Sequence, residues 1–451
     1  MVKGKTMFRR GAALLLISVL VLSITGCAKS KETNSGEITG NTGSTGNTSA
    51  AEEKSQKIRI AWWGNQVRND TTLAALDAYT AEHPNVTFET EFSDWSGYWD
   101  KMATQAASDN LPDIIQQDYA YVTQYQEKNQ LANLDSYVSS GALNVADVNE
   151  SVLAAGKMNN SLYAVVAGVN AVCTVYNTDM LQKAGLSVSL HPTYSEIKGL
   201  APQMKEKLGV STEMPGGEWA VQMMARDKGE VLFDSKNSKL GLSEATALQY
   251  FKDIEEAINS DWGLTIDVIQ EASTAGVEGS PMSTGKTWIS FPASNQIAAI
   301  RNANKDNIDM VMYPKIDDAT NESMYLRPSM FWSVAESSKN KDTAADVINY
   351  FTNSEKAQDN LKAERGVPIS SKMAKYMEPS LDEIQKQQFE YVAKVTEIAT
   401  PIDPSYPAGS NEVITLLGEL TDAVRYHEAT PEDAAARFIK EGNEILAKKG
   451  Q

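Results

Sequence analysis

The sequence predicts an α/β protein built as two lobes with a hinged cleft between them, and three observations carry that prediction. Strand-like and helix-like segments alternate once residue 55 is passed, which implies parallel strand pairing with helical crossovers. Roughly 395 residues follow, more than one typical core holds. The alternation then breaks between Leu162 and Tyr176, where two extended apolar runs, LYAVVAG and AVCTVYN, succeed each other with no helix between them. That break is the expected first crossing between lobes.

Ile58 to Trp63 reads as the first strand, and Asn69-Asp70 offers an N-cap to a helix carried by Leu73, Leu76, Ala78 and Tyr79. Val86 to Phe92 alternates as a second strand, and Trp95 to about Ala107 as a helix. Leu111-Pro112 leads into a third strand at Asp113 to Gln116. Beyond the crossing the chain is mostly helical, clearest at Ser243 to Ile258, with short strands near Lys286 to Phe291 and Ile308 to Tyr313. Phe331 to Val334 is expected to return the chain to the first lobe, ahead of helices near Asp342 to Phe351, Leu381 to Ile398 and Ala434 to Leu446. The expected division is 56–166 with about 316–366 for one lobe, and 167–315 with about 367–451 for the other.

The N-terminal segment is read as an address and not as fold. Lys3, Lys5, Arg9 and Arg10 precede an apolar run that ends in Ile24-Thr25-Gly26-Cys27, shorter than the roughly 20 residues a membrane span needs. The last four residues resemble the bacterial lipobox, which implies that residues 1–26 are a lipoprotein signal peptide and that Cys27 carries lipid. An ordinary secretory signal with an incidental cysteine fits less well, because Ser30 to Ser55 is rich in Gly, Ser, Thr and Asn and has Ile38 as its single large apolar residue. Such a stretch buries no core and serves as a tether, so 27–55 is read as anchor and flexible linker. With Cys27 lipidated, Cys173 has no disulfide partner and is expected to be a small core residue.

Formal charge is -18, from 41 basic and 59 acidic residues. Without the four basic groups of residues 1–26 the balance becomes 37 against 59, or -22. Such a surface repels nucleic acid and anionic lipid head groups. Catalytic readings fail on spacing. His83, His191 and His427 lie far apart, with no metal-site pattern. Ser283-Thr284-Gly285-Lys286-Thr287 imitates the end of a phosphate loop, but Ser280 stands where the motif needs glycine and Pro281 where it needs a strand. Glu255-Glu256 and Asp317-Asp318 are adjacent pairs, and adjacency does not set two carboxyls across a glycosidic bond. No cofactor or metal is expected.

Aromatic residues cluster where strands end and helices begin. Trp62-Trp63-Gly64-Asn65 closes the first strand, Asp94-Trp95-Ser96-Gly97-Tyr98-Trp99 opens a helix, and Gln116-Gln117-Asp118-Tyr119-Ala120-Tyr121 follows the third strand. Ligands of open parallel sheets bind outside the carboxyl ends of strands, so these clusters are expected on one rim. Rings stack on the C–H faces of sugars, and Asn65, Arg68, Gln117 and Asp118 offer partners for hydroxyls.

These residues resemble those of the family 1 extracellular solute-binding proteins of ABC importers, a family that includes maltose-binding protein. The resemblance rests on Ile58 to Gly64, Trp95 to Met102, Leu111 to Asp118, Tyr176 to Leu181 followed by Gly185-Leu186, the Gly285-Lys286 turn, and Arg365-Gly366-Val367-Pro368, taken in that order. One departure is Thr193-Tyr194, where the family often has threonine followed by tryptophan. The resemblance implies a periplasmic-binding-protein-like fold and a non-enzymatic, monomeric receptor, lipid-anchored on the outer face of the cytoplasmic membrane. Such a receptor captures a sugar, an oligosaccharide in first place, and passes it to permease subunits. It implies Trp63, Asn65, Arg68, Trp95, Gln117, Asp118 and Tyr119 as first-lobe contacts, with Trp219, Trp288, Trp332 and Arg365 as further candidates. Two other readings remain open at this point: a receptor for a non-sugar solute, and an anchored extracellular glycoside hydrolase.

Overall fold

A computed structural model describes residues 55–273 and 275–449, so the proposed signal peptide, Cys27 and the tether lie outside the described residues. The described chain is a two-lobed α/β protein with two main sheets and two small two-stranded ones. The larger sheet has five strands in the order Val86–Ser93, Gln56–Trp63, Ile114–Gln117, Arg327–Val334, Val165–Asn170. The smaller has three, Ile289–Ser290, Cys173–Asn177 and Ile308–Met312, with Cys173–Asn177 central and antiparallel to both neighbours.

Gln56–Trp63 pairs in parallel with Val86–Ser93 and with Ile114–Gln117, as strands linked by helical crossovers must. Arg327–Val334, the strand expected to return the chain to the first lobe, runs antiparallel to both of its neighbours. The reason is its route: it enters from the other lobe and so starts where the parallel strands end. Residues Trp63, Gln117 and Asn170 therefore share one edge of the sheet with the first residue of this strand, and Arg327 pairs with Asn170.

The alternation in the sequence is reproduced, with shifts at the ends. The first helix runs Gln66–Glu82, capped by Asn65, whose side chain accepts from the Arg68 N–H at 2.9 Å. Asn69 is thus inside the helix, where its Oδ1 accepts from the buried Trp62 indole N–H at 2.9 Å. The third strand is Ile114–Gln117, one residue later than expected, and the Lys286 to Phe291 strand shrinks to Ile289–Ser290. The helix Ser410–Arg425 had no counterpart among the expected elements.

The two extended runs lie in different sheets, Val165–Asn170 in the larger and Cys173–Asn177 in the smaller. Close beside this passage the 364–369 segment bridges back, with Val169 and Val367 exchanging backbone hydrogen bonds of 2.9 and 3.0 Å. Two glycines make that approach possible. A Cβ on Gly168 would stand 2.4 Å from the Arg365 carbonyl oxygen, and Gly366 has φ +105°, outside the range L side chains favour. Cys173 is fully buried, and burial pushes its thiol far above the ordinary range.

Candidate functional site

The strand-end rim is walled by aromatic rings held by one another. Asp94 caps the helix Trp95–Ala107 by accepting from the Gly97 N–H at 2.9 Å, which sets Trp95 in the first turn, 44% exposed. Its ring meets Trp63 edge-on at 5.0 Å and 88°, and Trp99 at 5.6 Å. Trp99 in turn stacks on Tyr121 at 4.0 Å. Trp63 and Trp99 are almost fully buried, so the exposed indole of Trp95 rests on a rigid aromatic floor.

Beside this wall, Asp118 accepts from the Ala120 N–H at 2.9 Å, while its carbonyl caps Tyr121 and Val122. Burial raises its carboxyl above the ordinary range, against the opposing pull of the Ala120 N–H and the positive charge of Arg327. Arg327 lies with its guanidinium carbon 5.3 Å over the ring of Trp219, and its side chain has no hydrogen-bond partner among the described residues. Burial disfavours its charge, and Tyr325, Glu218, Tyr406 and Asp118 around it more than restore it. A guanidinium that is aligned but uncommitted, with a carboxylate close by and an indole beneath it, is suited to take the hydroxyls of a bound solute.

Trp219 belongs to the helix Gly217–Asp227, which is tied to the 400–406 segment. Arg226 pairs with Asp403 and also donates to the Ser323 carbonyl at 2.7 Å and to Thr400 Oγ1 at 2.6 Å. Gln222 donates to Asp403 at 3.1 Å, and Tyr325 to Gln222 at 2.8 Å. This buried, many-partnered ion pair is a strut. Tyr119 donates to the Asp403 carbonyl, and Tyr406 donates to Glu218 at 2.6 Å. The segment after the third strand is thereby hydrogen-bonded to the helix that carries Trp219, through Asp403.

Of the residues singled out in the sequence, Trp63, Trp95, Asp118, Tyr119 and Trp219 join this constellation. Asn65 is spent on the helix cap, and Arg68 on an ion pair with Glu364 at 2.7 Å and on the Trp63 carbonyl at 3.2 Å. Gln117 has no exposure, and its amide has no partner among the described residues. Trp288 is wholly buried next to the three-stranded sheet, donating to Thr212 Oγ1 at 2.7 Å. Trp332, 2% exposed, packs on Phe351 and under Arg365, away from the rim. Arg327, Glu218 and Tyr406 were not anticipated, while Tyr121 was read as part of a rim cluster without being named as a contact. The signal for Arg327 was a single cation at the head of an apolar strand just after a crossing.

Two sizeable cavities lie elsewhere in the fold. One of about 850 Å³ lies behind the crossing, lined by Val169, Leu326 and Val367 with Phe389 and Val392. Another of about 340 Å³ is lined by Glu213, Met214 and Arg425 among others. Among the described residues no three His, Cys, Asp or Glu side chains gather as a metal site, and no helix is long and apolar enough to cross a membrane.

A family model described as bacterial extracellular solute-binding protein matches residues 74–389. The chain belongs to that family. As a solute-binding protein it is of the type that serves ABC importers. An extracellular solute-binding protein family 1 from Alicyclobacillus acidocaldarius superposes with a TM-score of 0.77 at 25% identity, over 88% of this chain and 99% of that one. A periplasmic oligogalacturonide-binding protein from Yersinia enterocolitica gives 0.74 at 21% identity, over 88% and 100%. A receptor of Streptomyces glaucescens, studied unliganded and with acarbose, gives 0.70 at 19% identity, again over 88% and 100%. These similarities agree in fold, with two lobes in each neighbour.

Proposed function

We propose that this solute-binding protein is a non-enzymatic, monomeric receptor for a sugar, an oligosaccharide in first place, which it delivers to the permease subunits of an ABC importer. The observation that carries this reading is the uncommitted Arg327 over Trp219 with Asp118 close by, together with the aromatic rings at the neighbouring strand ends, of which Trp95 is exposed. Rings offer stacking to the C–H faces of a pyranose, while the guanidinium and carboxylate offer complementary partners to its hydroxyls. The proposed contacts are Trp63, Trp95, Asp118, Tyr119, Trp219 and Arg327, with Asn65, Arg68 and Gln117 holding the rim and Trp288 and Trp332 in the cores.

Neighbouring structures that bind oligogalacturonide, acarbose and cycloalternan support a saccharide ligand. With Arg327 offset by Asp118 and Glu218, a neutral saccharide fits better than an anionic solute. We assign residues 56–166 and about 316–366 to one lobe and 167–315 with about 367–451 to the other, hinged where the chain passes between the two sheets. We also propose export on a signal peptide of residues 1–26 and lipidation at Cys27, which would tether the receptor to the outer face of the cytoplasmic membrane.

The deciding experiment exposes the purified protein to a panel of neutral and acidic oligosaccharides, polyols and peptides, following both thermal shift and new reducing ends. Saturable stabilisation by a saccharide without hydrolysis is the expected result. Turnover would replace the receptor reading with the hydrolase, and stabilisation only by a non-sugar solute would replace the ligand class. Mass spectrometry of the protein from membranes tests the anchor separately: an N-terminus at Cys27 without acyl mass removes it.

A further inference from the structure

Arg365 sits at the passage between the sheets, 7% exposed, with its Nε donating to Gln116 Oε1 at 3.0 Å and its guanidinium carbon 4.9 Å over the Trp332 ring. Its Nη1 and Nη2 atoms have no hydrogen-bond partner among the described residues. Four N–H groups of a buried cation are thus left without acceptors, an arrangement whose desolvation goes uncompensated.

The charge balance nearby is uneven as well. Arg68 and Arg365 stand close enough to repel, and the Glu364 carboxylate between them is held by Arg68 at 2.7 Å. Burial first, and the like charge of Arg68 second, lower the Arg365 guanidinium to about 9, which still leaves it protonated at neutral pH. A buried and a half-buried cation therefore share one anion.

Arg365, Trp332 and Glu364 all line a small, partly open cavity of about 20 Å³, together with Phe351, Thr352 and Gln358. A space of about 10–15 Å³ admits one water-sized body, so there is room here for one small guest and none for a polyatomic oxyanion such as sulfate. Thr352 spends its hydroxyl proton on the Ile348 carbonyl at 2.8 Å, and one amide N–H of Gln358 goes to the Phe351 carbonyl at 2.7 Å. The second Gln358 N–H and the guanidinium are donors, the Glu364 carboxylate on the same wall is taken up by Arg68, and the other lining side chains are mostly apolar. Such a wall favours a monovalent, weakly hydrated anion over water.

We propose that this cavity is an internal binding site for one chloride-sized inorganic anion, held by the Arg365 guanidinium beside the Glu364–Arg68 pair. The anion balances the second arginine and fastens the 364–369 segment, whose Val367 pairs with Val169 and whose Arg365 carbonyl accepts from Ser329. The site is distinct from the solute rim, to which Gln116 and Arg68 connect it through the Trp63 carbonyl, and its test does not depend on which sugar binds.

The test uses full-length protein prepared without halide, unfolded thermally at neutral pH while sodium gluconate is replaced stepwise by sodium chloride or bromide at fixed ionic strength. A saturable rise in Tm of about 2–4 °C is expected, since a guest that binds only the folded state stabilises it by mass action. Arg365→Gln should abolish the halide dependence. Equal Tm in gluconate and chloride, or a rise that Arg365→Gln retains, would overturn the proposal in favour of a water in the cavity. Should that variant fail to fold, bromide-soaked crystals of the unsubstituted protein decide the matter. An anomalous peak in contact with the Arg365 Nη atoms supports the site, and its absence from that cavity at saturating bromide overturns it.

Discussion

Arg327 lies over the ring of Trp219 at 5.3 Å, so a residue from the strand that re-enters the larger sheet is braced by a helix packed elsewhere in the fold. The pair is more than a local contact. Cation–π attraction contributes roughly 0.5–2 kcal/mol and holds the guanidinium without consuming its N–H groups. Trp219→Ala should therefore weaken saccharide binding even where the sugar never touches the indole. Calorimetry should show losses of roughly 10-fold or more for Trp219→Ala and for Arg327→Ala, with Tm nearly unchanged for the latter. Unaltered affinity in both would remove this pair from the binding site.

Two tryptophans should separate function from folding. Trp95, 44% exposed, can be replaced by alanine with little loss of stability but a marked loss of affinity. Trp288, fully buried, should cost about 3–5 kcal/mol when truncated, measured by denaturant titration of the ligand-free protein.

Arg226→Met leaves Asp403 buried without its cation, a change that costs roughly 3–5 kcal/mol in comparable pairs. Because the Asp403 carbonyl also receives the Tyr119 hydroxyl, loosening of the 400–406 segment should reach the rim. Hydrogen exchange should report faster opening at residues 400–406 and at the start of the helix Gly217–Asp227.

Glu213 supplies a pH dependence. Its side-chain Oε2 is buried and unpartnered among the described residues, and burial raises its carboxyl to about 7, against the opposing influence of Ser290 and Arg425. The folded protein then retains a proton that the unfolded chain releases near its ordinary value of 4.5. This contribution to stability is fully present below that value, is lost as pH rises to 7, and stays lost above. Glu213→Gln should flatten the interval and raise Tm at pH 8 by roughly 2–4 °C. An unchanged stability profile between pH 4.5 and 7 would contradict it.

At the crossing, Gly366→Ala should destabilise by about 1–3 kcal/mol, because φ +105° is strained for alanine and the new Cβ would stand 2.9 Å from the Val169 carbonyl oxygen. Chemical denaturation should show the loss with an unchanged slope.

Much of this architecture was legible in the sequence because period and capping are local. The Val86–Ser93 alternation, the Asp94 cap and the break after Val165–Asn170 each rest on neighbours in the chain. The first helix was misjudged by its start: Asn65 and Asn69 are both plausible caps by type, and only the Trp62 indole, which claims Asn69, resolves them. In the site, Trp63 and Trp95 could be read from their positions at strand and helix ends. Arg327 could not, since its role depends on Trp219, more than 100 positions earlier in the chain, and on the reversed direction of its strand. Trp288 and Trp332 show the converse: tryptophan flanked by strand residues has the composition of a binding site, and its burial is decided by packing partners such as Thr212 and Phe351.

The reversed strand has a consequence for how such a receptor diversifies. Where the other strands present their last residues to the rim, Arg327–Val334 presents its first, at the end of the long connection from Met312. A one-residue slip confined to the start of that strand, ahead of the irregularity at Met330, would leave the aromatic wall untouched. It would still exchange which side chain stands over Trp219, with Leu326 or Pro328 in place of the cation. Ligand preference in this fold can thus drift by slippage at one strand's beginning, without any substitution in the wall that stacks the sugar.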